Sequence, residues 1–179
     1  MIDNEWGMLA YPLVPGHEVV GQVVVLGPRA KGLLSGQVDL GWTAGSCMHC
    51  RSCLGGDHHL CGTAVPTIVG RHSGFAHRVR SHWAWAVPLP DNVRPEIAGP
   101  LLCGGITVFN PLLEFEVLAT SRIGVMGIGG LGHMALRFAN AWGCEVTAFT
   151  PSPDKFEEAK RLGAHQVVST NNSQDIAAL

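Results

Sequence analysis

Four cysteines between positions 47 and 61 constrain this 179-residue chain more than any other feature. Cys47, Cys50, Cys53 and Cys61 follow the spacing C-x2-C-x2-C-x7-C in a glycine-containing loop. Four thiolates in so short a stretch can close a tetrahedron around Zn²⁺ at sulfur–metal distances of ~2.3 Å, leaving no vacancy for water. A filled shell of that kind is structural. It can contribute ~10–16 kcal/mol of apparent free energy in small zinc peptides, enough to order a loop with little apolar core of its own. Two other readings stay open on spacing alone: similar runs hold iron–sulfur clusters, and the four could be unlinked buried thiols. Neighbouring His49, His58 and His59 are most simply solvated loop residues, though any one could replace a thiolate.

Composition bounds the rest. Apolar residues make up 46% and charged residues 15% of the sequence, enough to bury a core and to exclude global disorder. The formal charge is −2 with no sustained basic run, so nucleic acid is not an expected partner. Apolar runs such as Val23 to Leu26 are far shorter than the ~20 residues that cross a bilayer, so no membrane span is expected. Residues 1 to 5 lack the positive flank and apolar stretch of a secretory signal, which points to a cytoplasmic location and to reduced thiols.

Along the chain the pattern changes once. From Val19 to about Pro90, short β-branched runs (Val19–Val25, Thr67–Val69, Trp83–Val87) alternate with Gly and Pro, the signature of a small β-rich domain. Beyond Pro95, helix and strand alternate. A helical stretch is expected around Glu96 to Glu114, a strand at Arg122 to Met126, a helix at Leu131 to Trp142 and a strand at Glu145 to Phe149. A helix at Asp154 to Leu162 follows, and a third strand starts near Gln166. Such alternation argues for a parallel sheet covered by helices. Leu131, Met134, Ala135, Phe138 and Ala139 form one apolar face, and Gly143 is placed to cap that helix. The fold class read here is mixed β and α/β, with domains at residues 1–111 and 112–179 and the boundary near Pro111.

Gly127-Ile128-Gly129-Gly130-Leu131-Gly132 fits G-x-G-x-x-G and lies after an apolar strand at the mouth of an amphipathic helix. Gly127 permits the tight turn, Gly129 lets a pyrophosphate approach the backbone, and Gly132 allows close packing. The helix N-terminus supplies free N–H groups and partial positive charge. An NAD site would carry an acidic side chain at the end of the second strand. Thr150 stands there instead, with Ser152 and Lys155 close by, which favours NADP; Asp154 could act for NAD.

His17 and Glu18, in Gly16-His17-Glu18, and Cys103, in Pro100 to Thr107, say little singly, and Cys144 reads as core. In combination with the cysteine loop, the glycine loop and Gly163-Ala164, they make the whole chain resemble the zinc-dependent medium-chain alcohol dehydrogenases. The resemblance is to the NADP-preferring branch similar to cinnamyl-alcohol dehydrogenase and the bacterial aldehyde reductases. It implies a GroES-like β-rich zinc domain followed by the first part of a Rossmann domain. It also implies a structural zinc on Cys47, Cys50, Cys53 and Cys61, and a catalytic zinc on His17 and Cys103 with Glu18 as acidic neighbour. Thr107 would lie near the nicotinamide, and Thr150, Ser152 and Lys155 would receive the 2′-phosphate.

Two departures accompany the resemblance. A further zinc-binding cysteine and a hydroxyl proton relay belong upstream of the segment aligned with Met1, and only two strands and the start of a third of the family's six-stranded sheet are counted. The resemblance therefore implies an internal piece, about half a dehydrogenase, acting on a small alcohol or aldehyde with zinc and NADP(H), in a chain that could form homo-oligomers. The competing reading is a non-catalytic zinc-binding fragment that self-associates through open strand edges; a third is an iron–sulfur electron carrier. Trp6 and Trp83 could line or buttress a substrate pocket.

Overall fold

The computed structural model describes residues 3–32 and 36–177, which fall into two compact units, 1–103 and 104–179. In the first, β1 (Val19–Gln22), β2 (Gln37–Leu40), β3 (Thr43–Gly45), α1 (Arg51–Leu54), β4 (Val65–Pro66), β5 (Val87–Pro88) and α2 (Pro95–Ala98) follow in order. Strands β1, β2 and β5 make one antiparallel sheet, with Val20 opposite Asp39 and Asp39 opposite Val87; β3 and β4 make a second. Leu40, Ala44, Ile68 and Ala98 are buried here.

The β-branched runs become strands only in part: β1 stops at Gln22, and Thr67–Val69 forms no strand, β4 being the two residues before it. Pro66 ends β4 and Pro88 ends β5, because proline brings no N–H to a ladder. Trp83–Trp85 forms a 3₁₀ turn capped by the His82 ring, which accepts from the Ala84 amide at 3.3 Å. The expected helix over 96–114 is interrupted: after α2 the chain tightens into a 3₁₀ turn at Gly99–Leu102 and reaches Cys103 at φ −125°, ψ −87°, outside helical values.

The second unit runs α3 (Gly104–Glu114), β6 (Arg122–Met126), α4 (Gly130–Trp142), β7 (Glu145–Thr150), α5 (Phe156–Arg161), β8 (Gln166–Ser169) and α6 (Ser173–Ala177). Pro111, where the sequence reading sets its boundary, lies inside α3. Strands β6, β7 and β8 pair in parallel in that order, as successive strand–helix–strand units require. The apolar face of α4 covers the sheet, and Leu136, Ala139, Cys144, Val146, Ala148 and Ala159 share one core. Gly143 ends α4 at φ +102°, the left-handed geometry that glycine adopts without strain, and its amide bonds the Asn140 carbonyl at 3.0 Å. Among the described residues no single helix is long and apolar enough to cross a membrane.

Candidate metal centres and dinucleotide loop

The cysteine loop is assembled locally. Cys47 follows β3, Cys50 precedes α1, Cys53 lies within it, and a 3₁₀ turn at His58–Leu60 leads to Cys61. The four sulfurs lie within 4.8 Å of one another, and all six cysteines are free. Backbone amides point at the sulfurs. The Cys50 N–H donates to Cys47 Sγ at 3.3 Å and the Cys47 N–H to Cys61 Sγ at 3.5 Å. These donors favour thiolate: the His49 and Cys50 amides pull the Cys47 thiol down, and the Cys47 amide, with Thr63, pulls Cys61 down to about 6. At Cys50 the amide of Cys53 acts in the same sense but is outweighed by the neighbouring thiols, which push it up to about 11. His49 turns its Nδ1 to the Cys47 carbonyl at 2.7 Å and His58 packs edge-on to Trp85. Neither belongs to the sulfur group.

His17, Glu18 and Cys103 also converge, although 85 residues separate Glu18 from Cys103 in sequence. Their ligand atoms lie within 4.8 Å of one another, and His17 Nε2 is 3.1 Å from Cys103 Sγ. Two close approaches place them. Gly16 has φ +100°, and a Cβ there would come within 3.0 Å of the Phe75 amide nitrogen, so only glycine lets the turn before His17 nest against the 74–75 backbone. A Cβ on Gly41 would fall 2.0 Å from the Leu102 carbonyl oxygen, so that glycine lets the turn carrying Cys103 rest on the end of β2. The Trp42 ring stands edge-on to His17 with centroids 5.3 Å apart. Burial pushes the Cys103 thiol up, and the charge and hydrogen bond of Glu18 add to the rise.

Within the electrostatic reach of Glu18 lies a residue that sequence reasoning missed. Asp39 is 1% exposed, and neither carboxylate oxygen makes a hydrogen bond of ordinary geometry. Burial pushes its carboxyl up to about 6, against a pull from the Leu40 amide and with the charge of Glu18 raising it further. A buried carboxylate without such a bond is costly unless a cation compensates it. The donor set fits one: an imidazole nitrogen, a thiol sulfur and a carboxylate form a three-ligand constellation of the kind that holds zinc with a position left open.

The glycine loop joins β6 to α4 as expected. Gly127 has φ +85°; nothing lies within 4 Å of a Cβ built on Gly127, Gly129 or Gly130, so the backbone there is open to close approach. Gly132 is the packing glycine, since its Cβ would sit 2.1 Å from the Gly127 carbonyl oxygen. Ile128 is buried and Leu131 exposed. At the end of β7, Thr150 is buried and its Oγ1 accepts from the Ser152 amide at 3.2 Å. Lys155 reaches back to the loop, donating from Nζ to the Ile128 carbonyl at 2.7 Å, while Asp154 is exposed. Thr107 lies on α3 and is exposed. Trp6 is exposed and borders a cavity of about 140 Å³ shared with Trp42 and Ile68, and Trp83 borders a different one.

Comparison with known proteins identifies the family. The family model for the alcohol dehydrogenase GroES-like domain matches residues 1–91, and that for zinc-binding dehydrogenases matches residues 130–179. The chain belongs to the alcohol dehydrogenase family with a GroES-like domain. Its first unit is that domain, and its second is a partial Rossmann fold. Among its relatives, the aldehyde reductase AdhA of Synechocystis sp. is 52% identical over 99% of this chain and 53% of its own length. A cinnamyl alcohol dehydrogenase structure from Sorghum bicolor superposes with a TM-score of 0.91 at 36% identity, over 99% of this chain and 54% of that one. The structure of CAD from Helicobacter pylori complexed with NADP(H) gives 0.83 at 29% identity, over 90% and 49%. The chain thus spans about half the length of the relatives it matches.

Proposed function

We propose that this chain carries the metal-binding part and the first dinucleotide-binding part of an NADP(H)-dependent zinc alcohol dehydrogenase or aldehyde reductase. The observation that carries this reading is the convergence of His17, Glu18 and Cys103 into one ligand group in a chain that also gathers four sulfurs. In it, Cys47, Cys50, Cys53 and Cys61 hold a structural zinc within residues 1–103, and His17, Cys103 and Glu18 hold a catalytic one. When bound at the trio, zinc supplies Lewis acidity toward an alcohol or aldehyde oxygen. The chain's own residues do the rest. His17, Cys103 and Glu18 would hold that metal, Trp42 restrains the His17 ring, and the open backbone of Gly127 to Gly130 gives room for a pyrophosphate at the N-terminus of α4. Ser152 and Lys155 support preference for a 2′-phosphate. Lys155 spends one donor on Ile128 and keeps two, and Thr150 brings no carboxylate to repel it. The Helicobacter pylori structure bound to NADP(H) is in line with that preference.

The test is nucleotide titration and turnover on the purified chain. NADPH is expected to bind at least tenfold more tightly than NADH, and aldehyde reduction to be lost in Cys103→Ala. Absence of binding by either nucleotide contradicts the reading.

A second reading, a zinc-binding chain that self-associates without turnover, is favoured by the second unit. Strand β6 pairs only with β7 among the described residues, and Met126 on it is 80% exposed. One zinc per chain, no nucleotide binding and a concentration-dependent mass in sedimentation would select it.

A further inference from the structure

We propose that Asp39 is a positioning residue for a cation at the His17–Glu18–Cys103 cluster: a buried fixed charge that binds no metal itself but raises the cluster's affinity for one. The inference rests on the reading of the trio as a metal site. Its own support is geometric. Asp39 lies on β2 opposite Val20 of β1, and Val20 approaches Gly99, where the turn toward Cys103 begins. Two residues further, on the same side of the strand, Gly41 lies directly beneath the Leu102 carbonyl. Asp39 therefore faces the side of the sheet covered by the segment that delivers Cys103. Val38 and Leu40 point the other way and line a cavity of about 310 Å³ with Val24 and Trp83.

On that covered side the carboxylate is sealed from water and neither oxygen makes a hydrogen bond of ordinary geometry; only the Leu40 amide lies close enough to favour its charge. A polar side chain placed there for stability alone would carry a partner, since more than nine in ten buried polar groups do. Beyond its burial, Asp39 also feels the charge of Glu18, itself in the trio, and that like-charge repulsion is unfavourable until a cation arrives. In the metal-free state Asp39 is a burden. With a dication at the trio it becomes an attraction acting through a medium of low dielectric, and the stored cost returns as binding free energy. Its oxygens are not among the ligand atoms grouped within 4.8 Å, so it acts through the field and not by coordination.

The experiment compares wild-type chain with Asp39→Asn at pH 7.5, using Co²⁺ and Zn²⁺ as probes. Cobalt spectra separate a four-thiolate site from a mixed nitrogen, oxygen and sulfur site, so the two affinities are read independently in one titration. The expected result is a loss of at least tenfold in affinity at the mixed site, with the four-thiolate site unchanged. In addition, metal-free Asp39→Asn melts no lower than metal-free wild type, because a buried charge has been removed. A merely structural Asp39 gives the opposite thermal result. Equal affinities at the mixed site, or a metal-free variant that melts lower, overturn the proposal. If wild type itself binds metal only at the thiolate site, the reading of the trio fails instead. Should the amide variant be insoluble, Asp39→Leu, which removes the charge at similar volume, is held to the same outcomes.

Discussion

Gly132 must be glycine for a reason that no local turn preference contains. A methyl group there would sit 2.1 Å from the Gly127 carbonyl oxygen, in the backbone of the loop itself, so neither partner can rotate away. Gly132→Ala is expected to cost about 1–3 kcal/mol, read as a lower urea midpoint, and to weaken nucleotide binding; an unchanged midpoint would show that the loop opens without cost. At the cysteine loop the prediction concerns protons. Cys61 is pulled down to about 6 by the Cys47 amide and Thr63, so near pH 7 it is already mostly thiolate before metal arrives. Zinc binding at that loop at pH 7 is therefore expected to release fewer than four protons, measured by calorimetry in buffers of different ionisation enthalpy. Release of all four would mean that the amides do not favour the thiolate form. Affinity already falls with acid near pH 7, because the raised Cys50 thiol is protonated there, and falls more steeply below about 6, where Cys61 also takes up a proton.

At the level of elements, the parallel sheet was legible and the antiparallel part less so, and the causes differ. Strand β6 begins and ends where its apolar run does, and α4 ends at Gly143 as read, but its buried face centres on Gly132, Leu136 and Ala139 and leaves Leu131 of the expected face exposed. There, each element carries its own pattern and cap. In the first unit the Thr67–Val69 run forms no strand, Pro88 ends the Trp83–Val87 run's short β5, and Trp83–Trp85 curls into a turn held by His82, none of which β-propensity reports. Asp39 was illegible for a related reason. Alternation with Val38 and Leu40 places it on the opposite face, which an isolated hairpin would give to water, and only the packing of the 99–102 turn makes that face an interior. The cysteine quartet was readable from its spacing and the trio only through the family resemblance, whereas Trp42 beside His17 carried no such mark. Lys155 shows an element tied to another by one contact. Lys155→Met removes its bond to the Ile128 carbonyl, and NADPH affinity is expected to drop about tenfold while NADH affinity drops less, measured by fluorescence titration. Equal losses for both nucleotides would assign Lys155 to holding the loop and not to the 2′-phosphate.

In the molecule as a whole, each unit has its own buried centre and its own candidate site, and among the described residues both candidate metal groups lie in the first unit. The second is a sheet of three strands with β6 and β8 at its edges among the described residues, which suits further pairing. Replacing the exposed Met126 by Lys is expected to suppress any concentration-dependent association seen in sedimentation, with no change in zinc content; association that persists would place the contact elsewhere. The central claim is that the sulfur quartet and the His17–Glu18–Cys103 trio are two separate zinc sites in one chain. Elemental analysis of zinc-loaded wild type beside Cys103→Ala tests it most directly, with two zinc ions per chain predicted for the first and one for the second. The same count in both proteins, or sulfurs found joined as disulfides, would contradict it.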